Sequence, residues 1–285
     1  MDFLASEWKF FTDPNLKNVL RGQNGFEAAV DAWHQVATWT MLLTALPVFI
    51  ALMTGISAPY GRYSRAGWGL FMNARFAWLT QELPSPTVFI CLLFLYGGGA
   101  AILQHPLNSR TVLAAAFCAH YVYRVFIFPL IIRGGKPTPV SVWAMSFIFC
   151  VWNGFLQGWS FARHMPADTP VWAPRVVAGL ALWLFGWLNV MRSDLTLIRL
   201  RKPGETGYKI PRGGMFEFVS AANYASEMCE WSGFALAAGT LPAFAFALFT
   251  FCNLAPRGHH HHRWYLDKFK GEYPSRRRAV LPFLW

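Results

Sequence analysis

The chain is built around long apolar tracts, and they decide what it can fold into. Tracts at 34–56, 87–104, 111–132, 140–162 and 171–191 are followed by a longer one from 214 to 255. A bilayer core is crossed by about 20 apolar residues of helix. The last tract is too long for one crossing, and Gly239-Thr240-Leu241-Pro242 supplies the punctuation of a turn. The expectation is therefore an all-α, polytopic integral membrane protein with seven transmembrane helices, the sixth unusually polar and the seventh short. Only 14% of the residues are charged and 55% are hydrophobic. A water-facing domain carries about 25% charged residues, so this chain is too poor in charge to coat a soluble surface. No internal repeat or low-complexity linker divides it, and residues 34–285 read as one membrane domain.

The formal charge of +11 invites a nucleic-acid reading. Nucleic-acid binders, however, show their charge as a stripe on a water-exposed fold, and here it sits between apolar spans. Eighteen of the 25 Lys and Arg residues fall in alternate loops, before the second, fourth and sixth helices and after the seventh. By the positive-inside rule the C-terminus is cytoplasmic and the N-terminus lies outside. The membrane is the bacterial inner membrane or the endoplasmic reticulum, depending on the source. Membrane lipids are expected partners, nucleic acid is not, and a monomer is expected. The five cysteines sit in or beside apolar tracts without a CxxC pair, so neither a disulfide framework nor a zinc site is indicated. The first thirty residues are mixed and charged, unlike a cleavable signal peptide.

Ionisable groups inside spans are costly and tend to mark function. The third helix carries His120, Tyr121 and Arg124; the fourth and fifth carry Asn153, Gln157 and Asn189; the sixth carries Glu217, Asn223, Glu227 and Glu230. Asn223, Glu227 and Glu230 recur at i, i+4 and i+7, on one face of one helix. Such a face lines a polar ligand site or forms a buried network that fixes helix packing. The stretch from Arg199 to Gly214 adds turn-forming Gly and Pro to Arg and Lys. It suits phosphate recognition from the cytoplasmic side, and contact with anionic lipid explains the same composition. No GxGxxG follows a strand, so a soluble dinucleotide fold is not indicated. Gly97-Gly98-Gly99 reads as a close-packing face inside a span. Four adjacent histidines, His259 to His262, point in different directions on a helix, so no metal site is expected.

The stretch from Leu200 to Trp231 (LRKPGETGYKIPRGGMFEFVSAANYASEMCEW) closely resembles the signature of steroid 5α-reductases of types 1 and 2. So do LTQELPS at 79–85, AHYVYR at 119–124, and the ending from HHHRWY at 260–265 through Tyr273-Pro274 to Pro282-Phe283. The resemblance runs over roughly residues 60 to 285. Residues 1–33 look like an N-terminal extension with no assigned role. Where the family tends to carry another Arg after the third helix, this chain reads Arg133-Gly134-Gly135.

The resemblance implies a seven-helix reductase with NADPH held between helices and cytoplasmic loops, and a lipophilic, steroid-like substrate entering from the bilayer. It carries Gln81, Glu82 and Tyr121 over as the substrate-side motif. It carries Asn189, Asp194, Arg201, Tyr208, Asn223, Glu227, His261, Tyr265 and Arg277 over as cofactor-side positions. The implied reaction is NADPH-dependent reduction of the Δ4 C=C bond of a 3-oxo-Δ4-steroid, with hydride delivered to C5. Negative charge then builds on the carbonyl oxygen. Tyr121 O–H and a protonated Glu82, positioned by Gln81, are the expected donors to that oxygen. A carboxylic acid donates only when neutral, which an apolar setting favours. Three other readings stand beside this one: a related reductase of a polyprenyl or long-chain enone or enoyl lipid, a membrane methyltransferase using S-adenosylmethionine, and a transporter. A transporter predicts inverted repeats, and none is found.

Overall fold

In a computed structural model the protein is almost wholly helical. Described are residues 12–13, 15–23, 25–55, 59, 61–63, 65, 67–97, 99, 108–133, 135–166, 169–200, 205 and 207–285. Arg201, expected on the cofactor side, lies outside them. The helices in chain order are α1 (Leu16–Leu20), α2 (Phe26–Met53), α3 (Ala74–Glu82), α4 (Pro84–Tyr96), α5 (Ser109–Tyr121), α6 (Phe128–Ile131), α7 (Val140–Trp159), α8 (Pro174–Arg199), α9 (Ala222–Ala238) and α10 (Leu241–Phe269). A two-residue strand, β1 (Phe71–Met72), pairs antiparallel with β2 (Thr138–Pro139) and ties together the loops before α3 and α7.

Among the described residues five helices are long and apolar enough to cross a membrane: Phe26–Met53, Ala74–Tyr96, Ser109–Ile131, Val140–His164 and Pro174–Arg199. Several bounds differ from those the hydropathy suggests. The first span, α2, starts at Phe26, so it includes residues that the sequence reading set apart as an extension. Its early turns earn that place by polar contacts: Trp159 Nε1 donates to Asp31 Oδ1 at 2.7 Å and Arg163 pairs with Glu27 at 2.7 Å. The second span begins at Ala74, well before the apolar tract at 87, and Glu82 lies inside it. Leu83 stays helical and Pro84 takes the first position of α4, where its missing N–H costs nothing. The expected short seventh helix is instead 29 residues long and runs through all four histidines.

The break at Gly239 stands where the sequence places it. Gly239 adopts φ 63°, the left-handed conformation that closes a helix C-terminus without a Cβ penalty. The tightest helix pair is α8 with α9. A Cβ built on Gly233 would lie 2.3 Å from the Trp183 backbone nitrogen, and one on Gly186 would lie 2.4 Å from that of Glu230. Small residues are what let membrane helices approach this closely. The main core is aromatic: Phe89, Phe117, Phe161, Trp231 and Phe234 fill the centre of the bundle beneath Tyr121.

Candidate active site

The fifth helix does not continue as an α-helix beyond Tyr121. Residues Val122–Ile127 form a π turn before α6 resumes. Pro129 explains part of this, because it has no N–H to return to the carbonyl four residues back. Such turns carry one extra residue and recur at functional sites. Here the turn aims Tyr121, Tyr123 and Arg124 at three different neighbours.

Tyr121 is 4% exposed. Its hydroxyl oxygen receives Ser85 Oγ at 3.0 Å and Asn153 Nδ2 at 3.1 Å. Gln157 Nε2 donates to Asn153 Oδ1 at 3.2 Å and to the Pro242 carbonyl at 3.0 Å. Three residues along, Arg124 grips both carboxylate oxygens of Glu82, with Nη2 to Oε1 at 3.0 Å and Nε to Oε2 at 3.3 Å. Its guanidinium lies over Trp78 at 4.4 Å and Phe128 at 5.1 Å. Ser85–Tyr121 and Glu82–Arg124 are thus two rungs joining the α3–α4 junction to the fifth helix. Arg124 Nη1 also reaches Asp194 Oδ2 at 3.8 Å. Asp194 in turn accepts from Tyr123 O–H at 3.3 Å and Asn223 Nδ2 at 3.4 Å. One cation therefore faces two carboxylates at the meeting point of α3, α8 and α9.

The pairing is bidentate and engages both oxygens of Glu82. Gln81 is buried beside it in α3. Deeper in the bundle, His120 Nδ1 meets Glu230 Oε1 at 2.7 Å, with the Trp231 ring centre 4.5 Å from the imidazole. Glu227 is half-buried and makes no hydrogen bond or ion pair among the described residues.

A second cluster is assembled by the C-terminal tail. Arg278 N donates to Phe218 O at 2.9 Å and Ser220 N to Arg278 O at 2.8 Å, so the tail lies parallel to the strand-like segment before α9. This docking buries Arg277 completely. Its Nη2 lies 3.5 Å from Glu217 Oε2, its guanidinium sits over Tyr273 at 5.5 Å, and Nε, Nη1 and Nη2 all lack a hydrogen-bond partner among the described residues. Glu217 is fixed by the Gly213 N–H at 2.6 Å, and that bond, more than the nearby Arg277 and Arg212, holds its carboxyl below the usual range. Tyr273 donates to Ser220 Oγ at 2.7 Å, Ser220 meets His262 Nδ1 at 2.6 Å, and Tyr265 stacks on Tyr273 with ring centres 5.2 Å apart. A buried guanidinium whose nitrogens lack hydrogen-bond partners among the described residues has the chemistry to receive a phosphate.

The other expected residues are scattered more widely. His261 lies between Tyr63 O–H (3.2 Å, at Nδ1) and Tyr224 O–H (3.3 Å, at Nε2). His260 reaches the Leu52 carbonyl at 2.7 Å, so neighbouring histidines do face different ways. Among the described residues no group of three or more metal-ligating side chains is gathered. Tyr208 packs edge-on against Trp264. Asn189 is turned back onto its own helix, donating to Phe185 O at 2.8 Å, and does not join the Asp194 cluster. Sequence reasoning singled out Arg124, Asn153 and Gln157 as polar residues within spans but gave none a place in the site, and Ser85 only as the end of a motif. The signal for Arg124 was its position three residues after Tyr121.

Residues 136–285 match the family described as 3-oxo-5-alpha-steroid 4-dehydrogenase. The chain is 46% identical to 3-oxo-5-alpha-steroid 4-dehydrogenase 1 of Bos taurus over 238 residues, covering 83% of this chain and 91% of the relative. It is 41% identical to 3-oxo-5-alpha-steroid 4-dehydrogenase 2 of Sus scrofa, covering 85% and 92%. It is 40% identical to steroid 5-alpha-reductase DET2 of Gossypium hirsutum, covering 86% and 95%. The chain belongs to the 3-oxo-5α-steroid 4-dehydrogenase family. The family match spans Asp194, Asn223, Glu227 and Arg277, whereas Glu82 and Tyr121 lie N-terminal to it.

Proposed function

We propose that the chain reduces the Δ4 C=C bond of 3-oxo-Δ4-steroids to the 5α-reduced 3-oxosteroid, with NADPH as reductant and Tyr121 as the principal donor to the substrate carbonyl. The observation that carries this is the environment of Tyr121: two side chains meet its oxygen, buried at the centre of the bundle, and its own proton is left to serve a ligand. A donor pre-aimed at an oxygen where charge develops is typically worth about 10²–10³ in rate. NADPH supplies the hydride for the β-carbon of the enone. Arg277, with Glu217 and Tyr273 around it, holds a phosphate of that cofactor, and Asp194, Asn223 and Glu227 line the approach toward Tyr121. Glu82 completes the clamp in its protonated form, with Gln81 beside it. Arg124 need not be stranded when Glu82 takes a proton, because Asp194 already stands 3.8 Å from its other nitrogen.

The same reading gives seven crossings, with α9 and α10 completing the five apolar spans, and a cytoplasmic C-terminus in the inner membrane or endoplasmic reticulum. The substrate arrives through the bilayer, and the unit is a monomer. Detergent-purified protein given testosterone or progesterone with NADPH should yield the 5α-reduced product by mass spectrometry, and much less with NADH. Absence of product alongside NADPH-dependent thermal stabilisation would shift the substrate to another lipophilic enone. Tyr121→Phe should lower kcat about 10²–10³-fold; unchanged turnover would move the carbonyl clamp elsewhere. Glu82→Leu turning over at the wild-type rate would remove Glu82 from it.

A further inference from the structure

We infer that Asn153 and Gln157 are positioning residues that keep Tyr121 a hydrogen-bond donor toward the substrate, through a chain of orientations anchored on the Pro242 carbonyl. This rests on the role given to Tyr121 above. A side-chain amide presents an acceptor oxygen on one side and donors on the other, and either end fits the same space. What fixes the direction here is a partner that can only accept. The Pro242 carbonyl lies 3.0 Å from the Gln157 amide, so the group facing it must be the NH2. That same nitrogen lies 3.2 Å from the Asn153 amide, which must therefore turn its oxygen to Gln157. The Asn153 NH2 is then left facing Tyr121 O at 3.1 Å and Ser85 Oγ at 3.4 Å. An NH2 cannot accept the phenolic proton. With Asn153 donating to one lone pair and Ser85 at 3.0 Å donating to the other, the Tyr121 proton is left for a partner other than these two side chains.

All the members are buried: Ser85, Asn153 and Gln157 show no exposed surface and Tyr121 is 4% exposed. Water therefore offers the phenol no competing acceptor from this side. The orientation also has a visible cost, for Gln157 Oε1 is left buried without a partner among the described residues. The reversed amide would satisfy neither Pro242 nor the existing Asn153 orientation, since it would set oxygen against oxygen at 3.0 Å. The relay spans α4, α5, α7 and the first turn of α10, so four elements together set the direction of one proton.

The test is a double-mutant cycle on the full-length, detergent-purified protein, assayed with NADPH and testosterone. Asn153→Asp keeps the shape but presents an acceptor to Tyr121, which then captures the phenolic proton. The expected result is a fall in kcat of about 10²-fold, the size of a lost oxyanion donor, with the KM for NADPH unchanged. In a Tyr121→Phe background the same change should lower kcat no further, because coupled residues are not additive. If Asn153→Asp does not yield folded protein, Gln157→Met removes the anchor without adding charge, and it should likewise lose its effect in the Tyr121→Phe background. Equal losses with and without the Tyr121 hydroxyl would overturn the relay and leave these residues to helix packing. Full activity of Tyr121→Phe alone is a different failure, since it removes Tyr121 from the chemistry and the relay with it.

Discussion

At the scale of single residues, Arg277 carries the sharpest consequence. A buried cation whose nitrogens lack hydrogen-bond partners among the described residues, and whose carboxylate neighbour, Glu217, stands 3.5 Å away, is poorly compensated until a phosphate arrives. Arg277→Met should therefore leave the melting temperature of the cofactor-free protein unchanged or raised, while abolishing the increase produced by NADPH. A structural Arg would show the reverse, a large loss without cofactor. Glu217, which holds Arg277 from one side, has a lowered pKa. A carboxyl whose folded-state pKa is depressed contributes stability above its unfolded value and loses it as pH falls through the folded value. The Glu217→Gln protein should thus lack part of the loss of thermal stability that the wild type is expected to show as pH falls through the carboxylate range. Glu82, Tyr121 and Arg277 were singled out through motifs that resemble the family's. Their partners were not, because Asn153 and Asp194 stand 32 and 71 residues from Tyr121 and Tyr123, and no spacing rule links them. Arg124 shows the limit best: visible as a charge in a span, it became Glu82's partner only once the chain was folded.

At the scale of elements, hydropathy found the helices and misjudged their ends. Apolar tracts mark the part of a helix that faces lipid, and helices extend beyond it wherever polar side chains find partners. The run His259–His262 stays helical because its members are met one by one, by Trp285, the Leu52 carbonyl, Tyr63 with Tyr224, and Ser220. The α3–α4 junction was hidden for a similar reason, since Gln81 and Glu82 look like a loop until Arg124 is placed opposite them. Helix contact itself leaves a fainter trace. Gly233 sits where α9 meets the backbone of α8, with no room for a Cβ. Gly233→Val should cost at least about 1–3 kcal/mol by overpacking, read as a lower melting temperature in detergent. It should also lower activity, because α8 and α9 carry Asp194 and Asn223.

At the scale of the whole molecule, the positive-inside rule puts the basic loops on the cytoplasmic side, and that orientation can be tested directly. A cysteine introduced at exposed Arg276 should react with a membrane-impermeant thiol reagent only after the membrane is opened. One introduced at Trp172, 73% exposed in the loop between α7 and α8, should react in intact cells or sealed right-side-out vesicles. Opposite results would invert the topology. Overall architecture and family could be read from sequence because hydrophobic length and motif order survive without coordinates; the π turn at Val122–Ile127 could not. That turn fixes the length of its helix to the residue. Each residue of an α-helix advances the azimuth by about 100°, so deleting one position between Tyr121 and Arg124 would straighten the helix and swing one rung out of line with the other. Point substitutions can tune the phenol or the guanidinium separately, yet a change in chain length there uncouples both at once. This segment should accordingly be closed to insertions and deletions across active homologues, even where its side chains vary.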